Sequence, residues 1–257
     1  MRAQYALTIW DFPFFPIILR RKQTIFIMED LKYHYKYPHP SVTTDCVIFG
    51  FDGTKINVLF IERGIEPFKG RWAFPGGFLK MDETALEGAK RELFEETGMK
   101  DAYIRQFHTF SAVDRDPRER VITIAYYALV RISEVKAGDD AAKAQWFSLD
   151  QVPSLAFDHD MILRQALSAL RKQIHFEPIG FELLPEKFTM TQLQRLYEAI
   201  LDVKFDRRNF SNKMLKLGLL TELDEKLTLV NKKVAFLYKF NPECYREMKE
   251  KGFRLEF

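Results

Sequence analysis

With 257 residues, 47% hydrophobic and 14% aromatic side chains, the chain can bury a sizeable core, which excludes disordered and fibrous classes. Cys46 and Cys244 lie far apart in no CxxC or Cys/His spacing, which argues against a zinc site or a disulfide framework and fits a reducing cytoplasm. The formal charge of +3 rests on Arg2, Arg20, Arg21 and Lys22 against Asp11; the remainder is balanced, so charge alone names no partner.

Residues 1–27 carry an apolar run too short to span a bilayer and broken by Pro13 and Pro16, with the basic cluster behind it instead of ahead. No membrane partner is expected. Residues 1–37 are read as an N-terminal extension outside the fold, and Met28 offers an alternative start; a membrane-touching tail is the other reading of this stretch.

From Val42, "TTDCVIFGF" and "INVLFIERG" predict two strands joined by an Asp-Gly turn, "DGTK". "RWAFPGGFL" then turns through Pro75-Gly76-Gly77. Thr84-Ala85-Leu86-Glu87 is a capping-box pattern that starts a helix, and Gly98 stops it. Leu86, Ala89 and Leu93 supply the expected buried stripe, and Glu87 and Arg91 an i,i+4 pair. Glu92, Glu95 and Glu96 share another face near the C-terminal end of that helix, where like charges and the dipole both disfavour them, with Gly88 one turn back leaving space. Carboxylates so clustered suit a hard divalent cation; an ordinary solvated helix end is the alternative reading of the glutamates alone.

"DAYIRQFHTFSAV" and "RVITIAYYALVRI" predict strands joined by the charged loop 114–120, "QWFSL" a further strand, and 160–174 a helix with Ile162, Leu163, Ala166, Leu167 and Leu170 buried. A first domain thus spans 38–174. A linker opens the second, 175–257, where two helical patterns and a ribbon follow in the order of a winged helix-turn-helix. Phe210, Met214 and Leu215 are read as its core.

The string Gly77, five residues, Glu83, seven residues, then Arg91-Glu92-Leu93-x-Glu95-Glu96-x-Gly98-Met99 resembles the Nudix box at every defined position. The resemblance implies an α/β fold, the Nudix α/β/α sandwich with a mixed sheet. It also implies hydrolysis of a nucleoside diphosphate linked to another group, with Mg²⁺ or Mn²⁺ as cofactor. Carried over, Glu92, Glu95, Glu96 and the Gly76 carbonyl hold the metal, Arg91 orients the carboxylates, and Glu83 supports them or reaches an outer metal. The general base stays open between Glu92, Glu95 and a residue of a separate loop, with Glu119 an outside candidate.

"TTDCVIFGF", "RWAFPGGF", "FSAVDRDPRERVITIAYYAL", "LAFDH", "LLPEKFTMTQLQRLYEAI" and "DRRNF" together resemble the Nudix-related transcriptional regulators, which fuse a Nudix domain to a C-terminal winged helix. That likeness makes ADP-ribose the leading substrate and double-stranded DNA and a homodimer the expected partners. The alternative it carries is a regulator of NAD or pentose-sugar metabolism whose Nudix domain mainly senses an effector.

Arg63, Arg71, Trp72 and Gly77 are substrate candidates for contacting a diphosphate or stacking a base, with core packing the other reading for Trp72. Arg115, Arg118 and Arg120 form a loop suited to phosphate or, alternatively, a solvated hairpin. Arg207, Arg208, Asn209 and Lys213 on the proposed recognition helix, with Lys232 and Lys233 in the wing, are the DNA candidates. Ser211 and Asn212 stand where more basic residues are expected.

Overall fold

Alternation along the first strand organises the first domain. In the computed structural model, which describes residues 35–99, 102–132, 141–228 and 234–250, β1 (Ser41–Phe51) is buried from Thr43 onward. Its side chains divide by parity: Cys46 and Ile48 join one cluster with Ala89 and Leu93, while Val47 and Phe49 join another with Ile162, Ala166 and Leu170. A strand covered on both faces reads as a continuous apolar run, and this one does. Each large side chain so buried contributes about 1.5–3 kcal/mol by leaving water.

The first sheet runs β3 (Trp72–Ala73), β2 (Ile56–Arg63), β1, β6 (Val121–Leu129), β5 (Tyr103–Phe110), with β4 (Gly76–Phe78) on β1 and β7 (Ala141–Ser148) on β2. β1 and β6 are parallel and the other pairs antiparallel, so the sheet is mixed. The β1–β2 turn is tied by Asp52 Oδ1, which accepts from the Thr54 and Lys55 N–H groups, while Gly53 takes φ 98°. α1 (Ala85–Thr97) covers one face and α2 (His159–Gln173) the other. Leu167 is the member of the expected α2 stripe that stays only half-buried.

The C-terminal part is a helix pair and a three-stranded sheet: β8 (Phe188–Thr189), α3 (Met190–Leu201), α4 (Arg207–Lys216), β9 (Leu220–Thr228) and β10 (Val234–Phe240), in sheet order β8-β10-β9. The expected ribbon therefore gains a short third strand. Thr189 and Gln192 make a capping box for α3, and Asp206 Oδ1 caps α4 by accepting from the Asn209 N–H. Phe210 and Met214 are buried, but Leu215 is 45% exposed: it lies next to Met214 on α4 and turns outward. A fifth helix, α5 (Pro242–Glu250), was not anticipated; Asn241 Oδ1 caps it by accepting from the Glu243 and Cys244 N–H groups.

One apolar cluster runs from Val47 and Phe49 through Ile162 and Leu170 to Leu193, Tyr197, Phe210 and Tyr238, so the two parts share a core. Arg171 on α2 reinforces this by donating from Nε to the Ile200 carbonyl of α3 at 2.8 Å. Among the described residues no helix is long and apolar enough to cross a membrane. The N-terminal extension up to residue 34, with the alternative start at Met28, and the wing lysines Lys232 and Lys233 lie outside the described residues.

Candidate functional site

α1 begins and ends where its sequence says. Thr84 donates its N–H to Glu87 Oε2 at 2.8 Å while its Oγ1 accepts the Glu87 N–H, and Gly98 closes the helix at φ 76°. Two local expectations fail. Leu86 is 41% exposed, because the face against the sheet is Gly88, Ala89, Leu93 and Thr97. Glu87 is consumed by the cap, so Arg91 turns instead to Glu83, with Nε to Oε2 at 2.9 Å and Nη2 to Oε1 at 2.6 Å.

From that fork Arg91 Nη1 also donates to Glu92 Oε1 at 2.6 Å and Glu95 Oε2 at 3.0 Å, and Nη2 donates to the Phe78 carbonyl. One guanidinium thus answers the helix-end repulsion by joining three carboxylates and the strand before them. The Arg91 hydrogen bonds hold the Glu83 carboxyl down to about 2. Burial works the other way on Glu92 and, against Arg91's pull, raises its carboxyl above the ordinary range.

Glu96 points elsewhere, accepting the Gly76 N–H at 2.8 Å. The glycine pair is required by this crowding. A Cβ on Gly77 would stand 2.6 Å from Glu92 Cδ, and one on Gly76 would stand 2.8 Å from Asp45 Oδ1. Gly88 makes room for Leu79 and Glu83 and not for Glu92.

These groups border a cavity of about 490 Å³, walled by Gly76, Gly77, Phe78, Arg91, Glu92 and Glu96 on the box side and by Asp45, Arg63, Arg115, Arg118, Phe157 and His159 opposite. Of the expected substrate residues, Arg63, Gly77, Arg115 and Arg118 line it; Arg71, Trp72 and Arg120 do not. Trp72 packs edge-on to Phe147 at 4.8 Å, Arg71 stands over Phe68, and Arg120 donates to the Ala112 carbonyl. Arg115 is buried and bound by both oxygens of Asp158, at 2.8 and 3.0 Å, with Asp45 at 3.4 Å, so its charge is already matched. Glu119 accepts from Ser41 Oγ outside the cavity. A larger cavity, about 830 Å³, lies between the β1–β2 turn and α3, away from the box.

On the far wall, Asp45, Phe157 and His159 were not among the expected site residues. His159 is fully buried, accepts the Phe74 N–H on Nδ1 at 3.0 Å, stacks on the Phe74 ring and faces Asp45 Oδ1 at 3.8 Å. With Nδ1 an acceptor, the proton of the neutral ring sits on Nε2, and burial, outweighing Asp45 and Asp158, pushes its pKa down. The stretch "LAFDH", quoted above only for its resemblance, contains Phe157, Asp158 and His159, and it is the fold that brings Asp45 to them.

The donors around α1 are all oxygen, the chemistry of Mg²⁺ and Mn²⁺ sites. The Gly77 cradle, which holds the half-buried Glu92 carboxylate against the loop, fits them to a hard cation. Among the described residues no three acidic, histidine or cysteine side chains already converge as a cation site.

On the α4 surface Arg207, Arg208 and Asn209 are exposed, and Lys213 is half-buried.

A NUDIX domain model matches residues 39–170, and the NrtR DNA-binding winged helix domain matches 180–240. The chain is similar to the ADPR responsive transcriptional repressor NtrR of Acinetobacter baylyi, with 33% identity over 214 residues covering 81% of this chain and 85% of that one. It is also similar to the ADP-ribose pyrophosphatase of Methanocaldococcus jannaschii, 42% identical over 146 residues, 56% of this chain and 83% of the other. Among solved structures, Shewanella oneidensis NrtR complexed with a 27mer DNA superposes with a TM-score of 0.68 at 29% identity, covering 80% of this chain and 95% of that one. Box, sandwich and winged helix agree: the chain belongs to the Nudix family, in the form that joins a Nudix domain to an NrtR-type DNA-binding winged helix domain.

Proposed function

We propose that the Nudix domain hydrolyses the diphosphate of a nucleoside diphosphate derivative, ADP-ribose foremost, in a Mg²⁺- or Mn²⁺-dependent reaction, and that the winged helix binds double-stranded DNA. The observation that carries this reading is the gathering of Glu83, Glu92 and Glu95 by Arg91, where Arg91 and Glu92 themselves line the cavity. The relatives named above supply the nucleotide: one is an ADP-ribose pyrophosphatase, the other an ADPR responsive repressor.

Glu92, Glu95, Glu96 and the Gly76 carbonyl would hold the metal, which when bound neutralises phosphate charge and acidifies a water. Arg91 fixes the carboxylates, and Glu83 fixes Arg91 from the other side. A box carboxylate, Glu92 or Glu95, takes the proton of the attacking water. Arg63 supplies a cation across the cavity, with its Nη2 buried and without a hydrogen-bond partner in the protein, whereas Arg118 is held by both oxygens of Asp116 at 3.0 and 2.7 Å.

A second reading, in which the Nudix domain senses its ligand and controls DNA binding, is favoured by the shared core and the Arg171–Ile200 bond that tie α2 to α3. Arg207, Arg208 and Asn209 then face DNA, joined by the wing lysines, in a cytoplasmic homodimer.

The deciding experiment is Mg²⁺-dependent turnover of ADP-ribose, NADH and nucleoside triphosphates by the full chain beside Glu95→Gln. Turnover lost in the variant supports the hydrolase, and undiminished turnover overturns the site. Tight ligand binding without turnover selects the sensor.

A further inference from the structure

The backbone that leads into Gly76 is held at three successive residues by three different elements. The Phe74 N–H donates to His159 Nδ1 at 3.0 Å, the Pro75 carbonyl accepts the Cys46 N–H at 2.8 Å, and the Gly76 N–H donates to Glu96 Oε2 at 2.8 Å. Cys46 belongs to β1 and Glu96 to α1, so two of these partners come with the sheet and the box. The third, His159, opens α2 and stands 85 positions from Phe74.

Packing alone does not call for a histidine there. The ring is fully buried and lies on Phe74 with centroids 5.0 Å apart and planes 16° from parallel, a contact that an apolar ring makes without desolvating two nitrogens. What the imidazole adds is an acceptor for a buried N–H. Its orientation is set from the other side. Asp45 Oδ1 faces Nε2 at 3.8 Å, which favours the proton on that nitrogen and leaves Nδ1 to accept. Arg115 Nη2 reaches Asp45 Oδ2 at 3.4 Å and grips Asp158, the residue before His159, by both oxygens. Asp45 also bears on Gly76 directly, since a Cβ there would stand 2.8 Å from Asp45 Oδ1. Asp45, Arg115, Asp158 and His159 thus form one polar group that meets residues 74–76 from β1 and α2, while Glu96 meets them from α1.

We propose that His159 is a positioning residue for the cation site: by holding the Phe74 N–H it sets the course of the backbone through Pro75 and aims the Gly76 carbonyl. The inference rests on the metal reading given above and names the side chain that steadies its backbone ligand. The lever is short. Only Pro75 separates Phe74 from Gly76, and its ring-locked φ passes a tilt of one peptide on to the next. Loss of the acceptor therefore disturbs the carbonyl without removing any carboxylate of the box.

The test is the Mn²⁺ dissociation constant of the full chain, read from the free-ion signal in electron paramagnetic resonance, with melting temperatures taken alongside. Removing an outer partner of a metal ligand weakens binding by roughly tenfold to a hundredfold. His159→Phe keeps a ring on Phe74 but has no acceptor, and it is expected to show that loss. His159→Gln supplies an acceptor and is expected to recover most of the affinity. His159→Met lacks an acceptor on a flexible chain and replaces the Phe variant if the latter does not fold. Wild-type affinity in a folded variant without an acceptor overturns the positioning role and leaves the hydrolase reading intact. Equal losses in the Gln and Phe variants overturn it too, because the acceptor would not be the cause. Wild-type protein that binds no Mn²⁺, or binds it undiminished in Glu95→Gln, overturns the metal reading and this inference together.

Discussion

Glu92 rests its carboxylate against the backbone of Gly77, so close that a Cβ there would stand 2.6 Å from Glu92 Cδ. Gly77→Ala should therefore push the carboxylate out of its cradle while leaving the core alone. A flexible side-chain end can yield, so stability should change by only about 1 kcal/mol or less. Mg²⁺-dependent turnover, or ligand affinity if the domain only senses, should fall at least tenfold; unchanged values alongside an unchanged melting temperature would refute the cradle.

Arg91 is the counter-charge for Glu83, whose carboxyl it holds at about 2 instead of the ordinary 4.5. A folded-state value below the unfolded one adds stability that is present above pH 4.5 and is lost as pH falls toward 2. Arg91→Met should remove that contribution. The gap between wild type and variant in denaturant midpoint should then be wide at pH 7 and narrow at pH 3. An equal gap at both pH values would show that the pair adds nothing that titrates.

His159 gives a dependence near neutrality. Burial holds its folded pKa below the ordinary 6.5, so the unfolded chain takes up the proton first as pH drops. Its neutral form favours folding above pH 6.5, and that advantage drains away below it. His159→Gln keeps an acceptor for the Phe74 N–H and removes the titration, so the rise in denaturant midpoint from pH 5.5 to 7.5 should flatten. A slope identical to wild type would mean that His159 titrates alike in the folded and unfolded states.

Arg207 and Arg208 open α4 and are both exposed. If they neutralise phosphates, Arg207→Ala with Arg208→Ala should weaken DNA binding and reduce the slope of log K against log salt by about 2. Electrophoretic mobility shifts across a salt series would read this directly. A slope that stays put would move the DNA contacts off α4.

The sequence was most legible where chemistry is local. Thr84 with Glu87, Gly98, and the Asp52-Gly53 turn each form their structure from residues within a few positions, and each stands where expected. Burial stripes were less so: Leu86 and Leu215 have the right residue type but face solvent, because which helix face meets the sheet is decided by partners distant in sequence. α5 hides behind few apolar residues, although Asn241-Pro242 is a helix-start signal that could have been read. The box carboxylates were named through the resemblance of the whole string to the Nudix box, since their own spacing fits a solvated helix end as well. Asp45 and His159 on the opposite wall could not be named in this way, because they stand more than a hundred positions apart and meet only through the sheet. Arg115 was misleading for a related reason: a loop arginine suggests a free cation until the fold delivers Asp158 to it.

The apolar cluster running unbroken from Val47 to Tyr238 has a thermodynamic consequence. A border drawn near residue 174 separates two sequence patterns but cuts through shared side-chain packing, so the two parts should melt as a single cooperative unit in calorimetry. A ligand that binds the folded chain beside Glu92 should then raise the melting temperature of α3 and α4 along with that of the sheet.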